Sequence, residues 1–164
     1  TVALLSARRA GPTASNMASV IGACCLLVVL TTFLHYEVLG LLNARLPTLP
    51  VPQRAKLLVV MLAAFFTHAV EMGLYGMAYH LLTTLVADAG SMTGSGAGTL
   101  TSAMYFSAET YTSLGFGDVT PSGPIRLLAG VEALNGLLLI GWTASFTYLA
   151  MEHFWNGGQR GTDR

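Results

Sequence analysis

The chain has 164 residues, of which 53% are hydrophobic and only 10% charged, with a mean hydropathy of +0.60. A soluble domain of this length has no use for so apolar a composition, so the sequence reads as an integral membrane protein. Its formal net charge is zero and it holds no run of like charges, which excludes nucleic acid as a partner.

Residues 1–16 form an N-terminal tail with Arg8 and Arg9 but no apolar core, so they are not a cleavable secretory signal. Crossing a bilayer takes about 20 apolar residues at 1.5 Å of rise each. The first such run is 17–42, inside an additional helix over 17–46. It holds no arginine or lysine between Met17 and Asn43, so it is not a voltage sensor; His35, Tyr36 and Glu37 are expected at its inner end. Cys24 and Cys25 are neighbours whose side chains diverge, and they read as small hydrophobes rather than a disulfide.

The second run, 57–86, lies within an outer helix over 55–87 and carries His68 and Glu71 on one helical face. An ionisable group at mid-helix costs about 2.5 to 3.5 kcal/mol, so this pair needs a reason. It reads as an interhelical polar contact, with a proton-sensing switch as the alternative. His80 is expected near the interface, and no histidine and cysteine spacing makes a metal site. Residues 88–99 are small, polar and aperiodic, and read as an exposed outer loop.

The apolar segment 100–112 is too short to cross and predicts a re-entrant helix. It leads into Thr112-Ser113-Leu114-Gly115-Phe116-Gly117-Asp118, where glycine alternates. At membrane depth, non-helical backbone is tolerated only where protein buries it or where it lines a watery cavity. Backbone carbonyls in successive rings can replace the water shell of a bare cation. Successive carbonyls turn the same way only if alternate residues take dihedrals that a Cβ penalises, which accounts for Gly115 and Gly117.

The last run, 125–151, predicts an inner helix over 124–153, followed by a C-terminal tail over 154–164. Glu132 is expected to accept a hydrogen bond from a hydroxyl of the short helix, such as Tyr111. Small-residue helix packing is the expected use of Gly130 and Gly141.

The septet and its flanks, from Tyr105-Phe106-Ser107-Ala108-Glu109-Thr110-Tyr111 to Val119-Thr120-Pro121, resemble the pore domain of the potassium channel superfamily. Bacterial two-transmembrane channels look most similar, over roughly 57–151, with one helix added in front. The resemblance implies an all-α membrane protein with three transmembrane helices, a re-entrant pore helix and a filter over 113–118. It also implies a homotetramer that passes potassium passively, since one chain supplies a quarter of each ring.

Thr112, Ser113, Leu114, Gly115, Phe116 and Gly117 then form the filter, with potassium held at Ser113, Leu114, Gly115 and Phe116. Glu109, Asp118, Tyr105 and Phe106 support it. Glu109 and Asp118 match a carboxylate pair that shares one proton behind the filter; the plainer reading is a solvated Asp118 and a Glu109 bonded to backbone. Gly136 matches the inner-helix hinge, and Leu137, Leu138, Gly141 and Ser145 line the cavity. Two departures, Phe116 for tyrosine and Ser113 for threonine, occur together in the ether-à-go-go-related potassium channels. They imply retained selectivity and a filter that collapses readily.

If the filter faces outside, residues 43–56 are cytoplasmic, and Arg45, Arg54 and Lys56 agree with the positive-inside rule, whereas Arg8 and Arg9 fall outside against it. The expected partners are lipid, potassium and three further copies, with no cofactor and no soluble regulatory domain in the chain. The expected place is a bacterial plasma membrane. Competing readings are a weakly selective sodium and potassium channel, a non-conducting assembly subunit, and an intramembrane enzyme or proton carrier using His68, Glu71 and Glu132. The last lacks a nucleophile paired with a base.

Overall fold

The computed structural model describes the backbone of residues 14–159 and the side chains of 16–153, so Arg8, Arg9 and most of both tails lie outside the described residues. Three long helices dominate: α1 (Ala14–Arg45), α2 (Gln53–Leu85) and α4 (Ile125–Gln159), with a short α3 (Leu100–Tyr111) between the last two. All three long helices are apolar and long enough to cross a membrane, and the chain is a multi-pass membrane protein. The boundaries fall within a few residues of the sequence reading, except that α4 runs on to Gln159.

Each helix buries one stripe. On α2 it is Lys56, Val60, Ala64, Thr67, Glu71, Tyr75, Tyr79 and Leu82, spaced by three or four residues, and on α1 it includes Val20, Cys24, Leu27, Thr31, His35 and Leu39. The remaining large apolar side chains, such as Leu26, Val29, Phe65 and Phe66, point outward as lipid-facing groups do. Cys24 is buried and Cys25 exposed, both free.

Helix α1 packs on α2 and α4 of its own chain. His35 is not at its inner end as expected. It lies ten residues before Arg45, fully buried, while Tyr36 and Glu37 face outward.

Polar side chains form nodes inside this apolar bundle. Asn135 of α4 donates to Thr31 Oγ1 of α1 at 2.8 Å and to the Tyr75 hydroxyl of α2 at 3.2 Å. Glu132 of α4 accepts from Tyr79 of α2 at 2.7 Å and from Ser107 of α3. The expected hydroxyl donor on α3 is therefore Ser107 rather than Tyr111. Lipid offers no replacement partner, so satisfied nodes of this kind fix which helix faces meet.

Ser107 keeps a second acceptor in the Met72 carbonyl at 2.7 Å, but Tyr79 depends on Glu132. Glu132→Ala is therefore expected to destabilise the fold by roughly 1–3 kcal/mol, the cost of one buried donor left without a partner. Denaturant unfolding in detergent measures it, and an unchanged midpoint would show that Tyr79 finds another acceptor.

The outer loop is exposed over most of its length, as expected, but it also contains a strand that its aperiodic sequence did not announce. Ser91–Gly94 forms a strand, β1, paired antiparallel with β2 (Val119–Ser122), in the register Ser91 with Ser122 through Gly94 with Val119. A Cβ on Gly90 would run into the Ser122 carbonyl and one on Gly94 into the Asp118 carbonyl. Both glycines also have positive φ, +128° and +124°. Glycine is required at these two positions because two backbones meet there.

Candidate functional site

The loop 112–118 leaves the C-terminal end of α3 and is exposed throughout, including the large apolar side chains of Leu114 and Phe116. Helix α3 is capped by Thr99, whose hydroxyl accepts from Ser102 N just ahead of the first helical residue, Leu100. Its other end aims the negative pole of its dipole at the loop, a favourable field for a cation.

Handedness alternates along the loop. Ser113 (φ +58°), Gly115 (φ +55°) and Gly117 (φ +80°) are left-handed, while Leu114 and Phe116 are not. The two glycines carry the conformation their spacing implied. Ser113 adopts it as well, a position where a side chain costs about 1–2 kcal/mol.

The consequence appears in the hydrogen bonds. Four successive N–H groups all donate back to α3: Ser113 N to the Thr110 carbonyl (3.0 Å), Leu114 N and Gly115 N to the Glu109 carbonyl (2.8 and 3.4 Å), and Phe116 N to Glu109 Oε1 (3.2 Å). Among the described residues, no hydrogen bond ends on a carbonyl of 112–117. One edge of the loop is spent on its own chain and the other is a row of free acceptors.

The supporting residues divide their work. Among the described residues, Glu109 and Asp118 form no direct hydrogen bond with each other, the arrangement of the plainer reading. Glu109 is buried and bonded to the loop backbone, whereas Asp118 is exposed and accepts from the Tyr105 hydroxyl at 3.4 Å. Partial desolvation, then hydrogen bonds and charge from Glu109 and Asp118, push the Tyr105 hydroxyl up to about 12, so Tyr105 stays protonated as a donor. Phe106 is buried against Tyr79 of α2, ring centroids 5.1 Å apart and edge to face, on the side of α3 that packs into the bundle.

Helix α4 runs without a break through Gly136, the residue matched to the hinge. A Cβ there would strike the Tyr111 carbonyl, and the glycine exists so that α4 can approach the end of α3. Gly130 and Gly141, expected in helix packing, have nothing within 4 Å of a built Cβ. Leu137 and Leu138 are more than half exposed, and Gly141 and Ser145 are exposed beside them on α4.

One cluster was only half visible in the sequence. His68 and Glu71 of α2 meet His35 of α1, Tyr111 of α3 and Thr143 of α4. His35 Nδ1 is 2.9 Å from Glu71 Oε1, His68 Nδ1 is 3.0 Å from Glu71 Oε2, and the Tyr111 hydroxyl donates to Glu71 Oε2 at 2.5 Å. The ligand atoms of His35, His68 and Glu71 lie within 4.8 Å of one another, a grouping that no sequence spacing announced.

These features, a helix pair flanking a short helix and a loop with free carbonyls, define an ion channel domain. Residues 55–152 match the model of the family described as ion channel, so the chain belongs to the two-transmembrane ion channel family of the potassium-channel pore type. Comparison with curated proteins and with solved structures gives no match. Helix α1 precedes the matched region.

Proposed function

We propose that four copies of this chain surround one axis and pass potassium passively through a filter made of residues 112–117. The observation that carries this reading is the one-sided loop: its N–H groups are consumed by α3, and its carbonyls are left without partners in an alternating backbone. A row of carbonyl dipoles suits a dehydrated cation, and four rows around an axis give each ion the oxygens its water shell supplied. Ser113, Leu114, Gly115 and Phe116 hold the ions, with the Ser113 hydroxyl as the innermost ring and Thr112 at its base.

Helix α3 is the re-entrant pore helix in this reading. Glu109 sets the height of the loop through Phe116 N, and Tyr105 with Asp118 braces its outer end. The exposed α4 face with Leu137, Leu138, Gly141 and Ser145 becomes the wall of the cavity below, an apolar ring able to gate by dewetting. The chain acts in a cell membrane, with lipid and potassium as its partners and no organic cofactor.

Purified protein in liposomes loaded with potassium chloride tests this. The expected result is a barium-blocked potassium flux, with a reversal potential in mixed salt that follows potassium and not sodium. Equal passage of sodium would make it a weakly selective cation channel, and no flux from a correctly inserted protein would make it a non-conducting assembly subunit.

A further inference from the structure

The polar cluster that joins α1 to α2 has a donor chemistry that the pore reading leaves unused. His35 Nδ1 stands 2.9 Å from Glu71 Oε1 and His68 Nδ1 3.0 Å from Glu71 Oε2, while the Tyr111 hydroxyl is 2.9 Å from His68 Nδ1 and donates to Glu71 Oε2. Two imidazole nitrogens, a carboxylate and a phenol oxygen thus converge on one small volume from three helices. The ligand atoms of His35, His68 and Glu71 all lie within 4.8 Å of one another.

These groups also bond to one another. Among the described residues, the buried polar side-chain atoms without a partner lie elsewhere, on His80 and Thr147, so the cluster stands assembled before an ion arrives. Thr143 Oγ1 of α4 is 3.0 Å from both Nε2 atoms and holds the two rings with their Nδ1 edges toward Glu71. A ligating histidine is ordinarily oriented this way, by a hydrogen bond at its other nitrogen. Four donors bound to one zinc ion at about 2.0–2.2 Å stand roughly 3.3–3.5 Å apart, a spacing that side-chain torsions reach from here with the helices in place.

We propose that His35, His68, Glu71 and Tyr111 form a binding site for one divalent transition-metal ion of the zinc class, which pins α1 to α2 and to the C-terminal end of α3. Nitrogen donors set the class: magnesium and calcium take oxygen ligands, whereas imidazole with a carboxylate suits zinc and its neighbours. Glu71 cancels one of the ion's two charges. The Tyr111 hydroxyl, losing its proton to solvent as it coordinates, cancels the other, so the occupied site is neutral at a depth where net charge is costly. His68 is 16% exposed, against 1% for His35 and 0% for Glu71, and is the side on which an ion enters.

Residues 55–152 cannot form this site by themselves. His35 lies on α1, ahead of that region, and 36 residues separate it from Glu71, which is why no spacing in the sequence announced the site. Tyr111 is two residues before Ser113, so an ion bound here also holds the end of the helix from which the glycine loop departs. The inference is independent of which ion the loop selects.

The test uses the full chain without an affinity tag, stripped with chelator in detergent and titrated with zinc or cobalt(II) chloride. One ion per chain is expected, with cobalt giving the visible absorption of a tetrahedral site and zinc raising the unfolding temperature. His35→Gln and Glu71→Gln are expected to weaken binding more than about hundredfold, and Thr143→Val about 10–100-fold. His80→Gln and His153→Gln, at the remaining two of the four histidines, are expected to bind as wild type does. Circular dichroism checks the folding of each variant, and His68→Gln, at the less buried ligand, reads the same loss should His35→Gln not fold. Absence of a tetrahedral cobalt spectrum, binding that survives His35→Gln or Glu71→Gln, or binding that is lost with His80→Gln or His153→Gln would each overturn the proposal.

Discussion

Gly136→Ala is expected to destabilise the protein by about 1–3 kcal/mol and to abolish ion flux. The added methyl points at the Tyr111 backbone carbonyl, which cannot swing aside as a side chain could. Either α4 retreats or the end of α3 is pushed, and Ser113 N hangs from that same end through the Thr110 carbonyl. Gly130→Ala is the control. Its Cβ meets nothing within the chain, and replacing a helix-interior glycine gains up to about 1 kcal/mol. Unfolding in detergent and flux in liposomes separate the cases. If Gly136→Ala is as stable as wild type and alters only opening, Gly136 is a hinge after all and the contact with Tyr111 is incidental.

Gly117→Ala is expected to lose at least about tenfold in flux with a stability change of only about 1–2 kcal/mol. Space is not the obstacle, since nothing lies within 4 Å of a Cβ at this position. The obstacle is φ +80°, which an L-residue resists, and its relaxation would turn the neighbouring carbonyls out of line. Semisynthetic D-alanine at the same position favours positive φ and is expected to restore conduction. Equal flux from the L- and D-alanine proteins would remove backbone hand from the mechanism. That pair of measurements separates conformation from bulk, which alanine alone does not.

The three long helices and α3 were legible because lipid imposes long apolar runs, and α3 was too short to be one of them. The loop was legible because Gly115 and Gly117 alternate just after a helix too short to cross, outside any stretch where helix packing would call for glycine. Other features depended on partners far away in sequence. Strand β1 has no alternation of large side chains; its pairing is set by backbone contact at Gly90 and Gly94, and the spacing of those glycines was the only trace. Ser107 and Tyr111 lie one turn apart on the same face of α3, so sequence alone could not say which one reaches Glu132. Tyr111, one turn further on, reaches Glu71 instead. His35 could not be joined to Glu71 because 36 residues and a helix reversal separate them. Gly136 was picked out at the right position, but spacing cannot distinguish a bend from a close approach.

The ladder between Ser91–Gly94 and Val119–Ser122 closes within a single polypeptide. In the proposed tetramer each copy would therefore finish shaping its share of the pore entrance while still alone in the bilayer, as membrane proteins that insert first and associate afterwards require. Oligomerisation would then bring together prefabricated sectors rather than mould them, and the entrance would keep its contour even where neighbouring subunits touch only lightly.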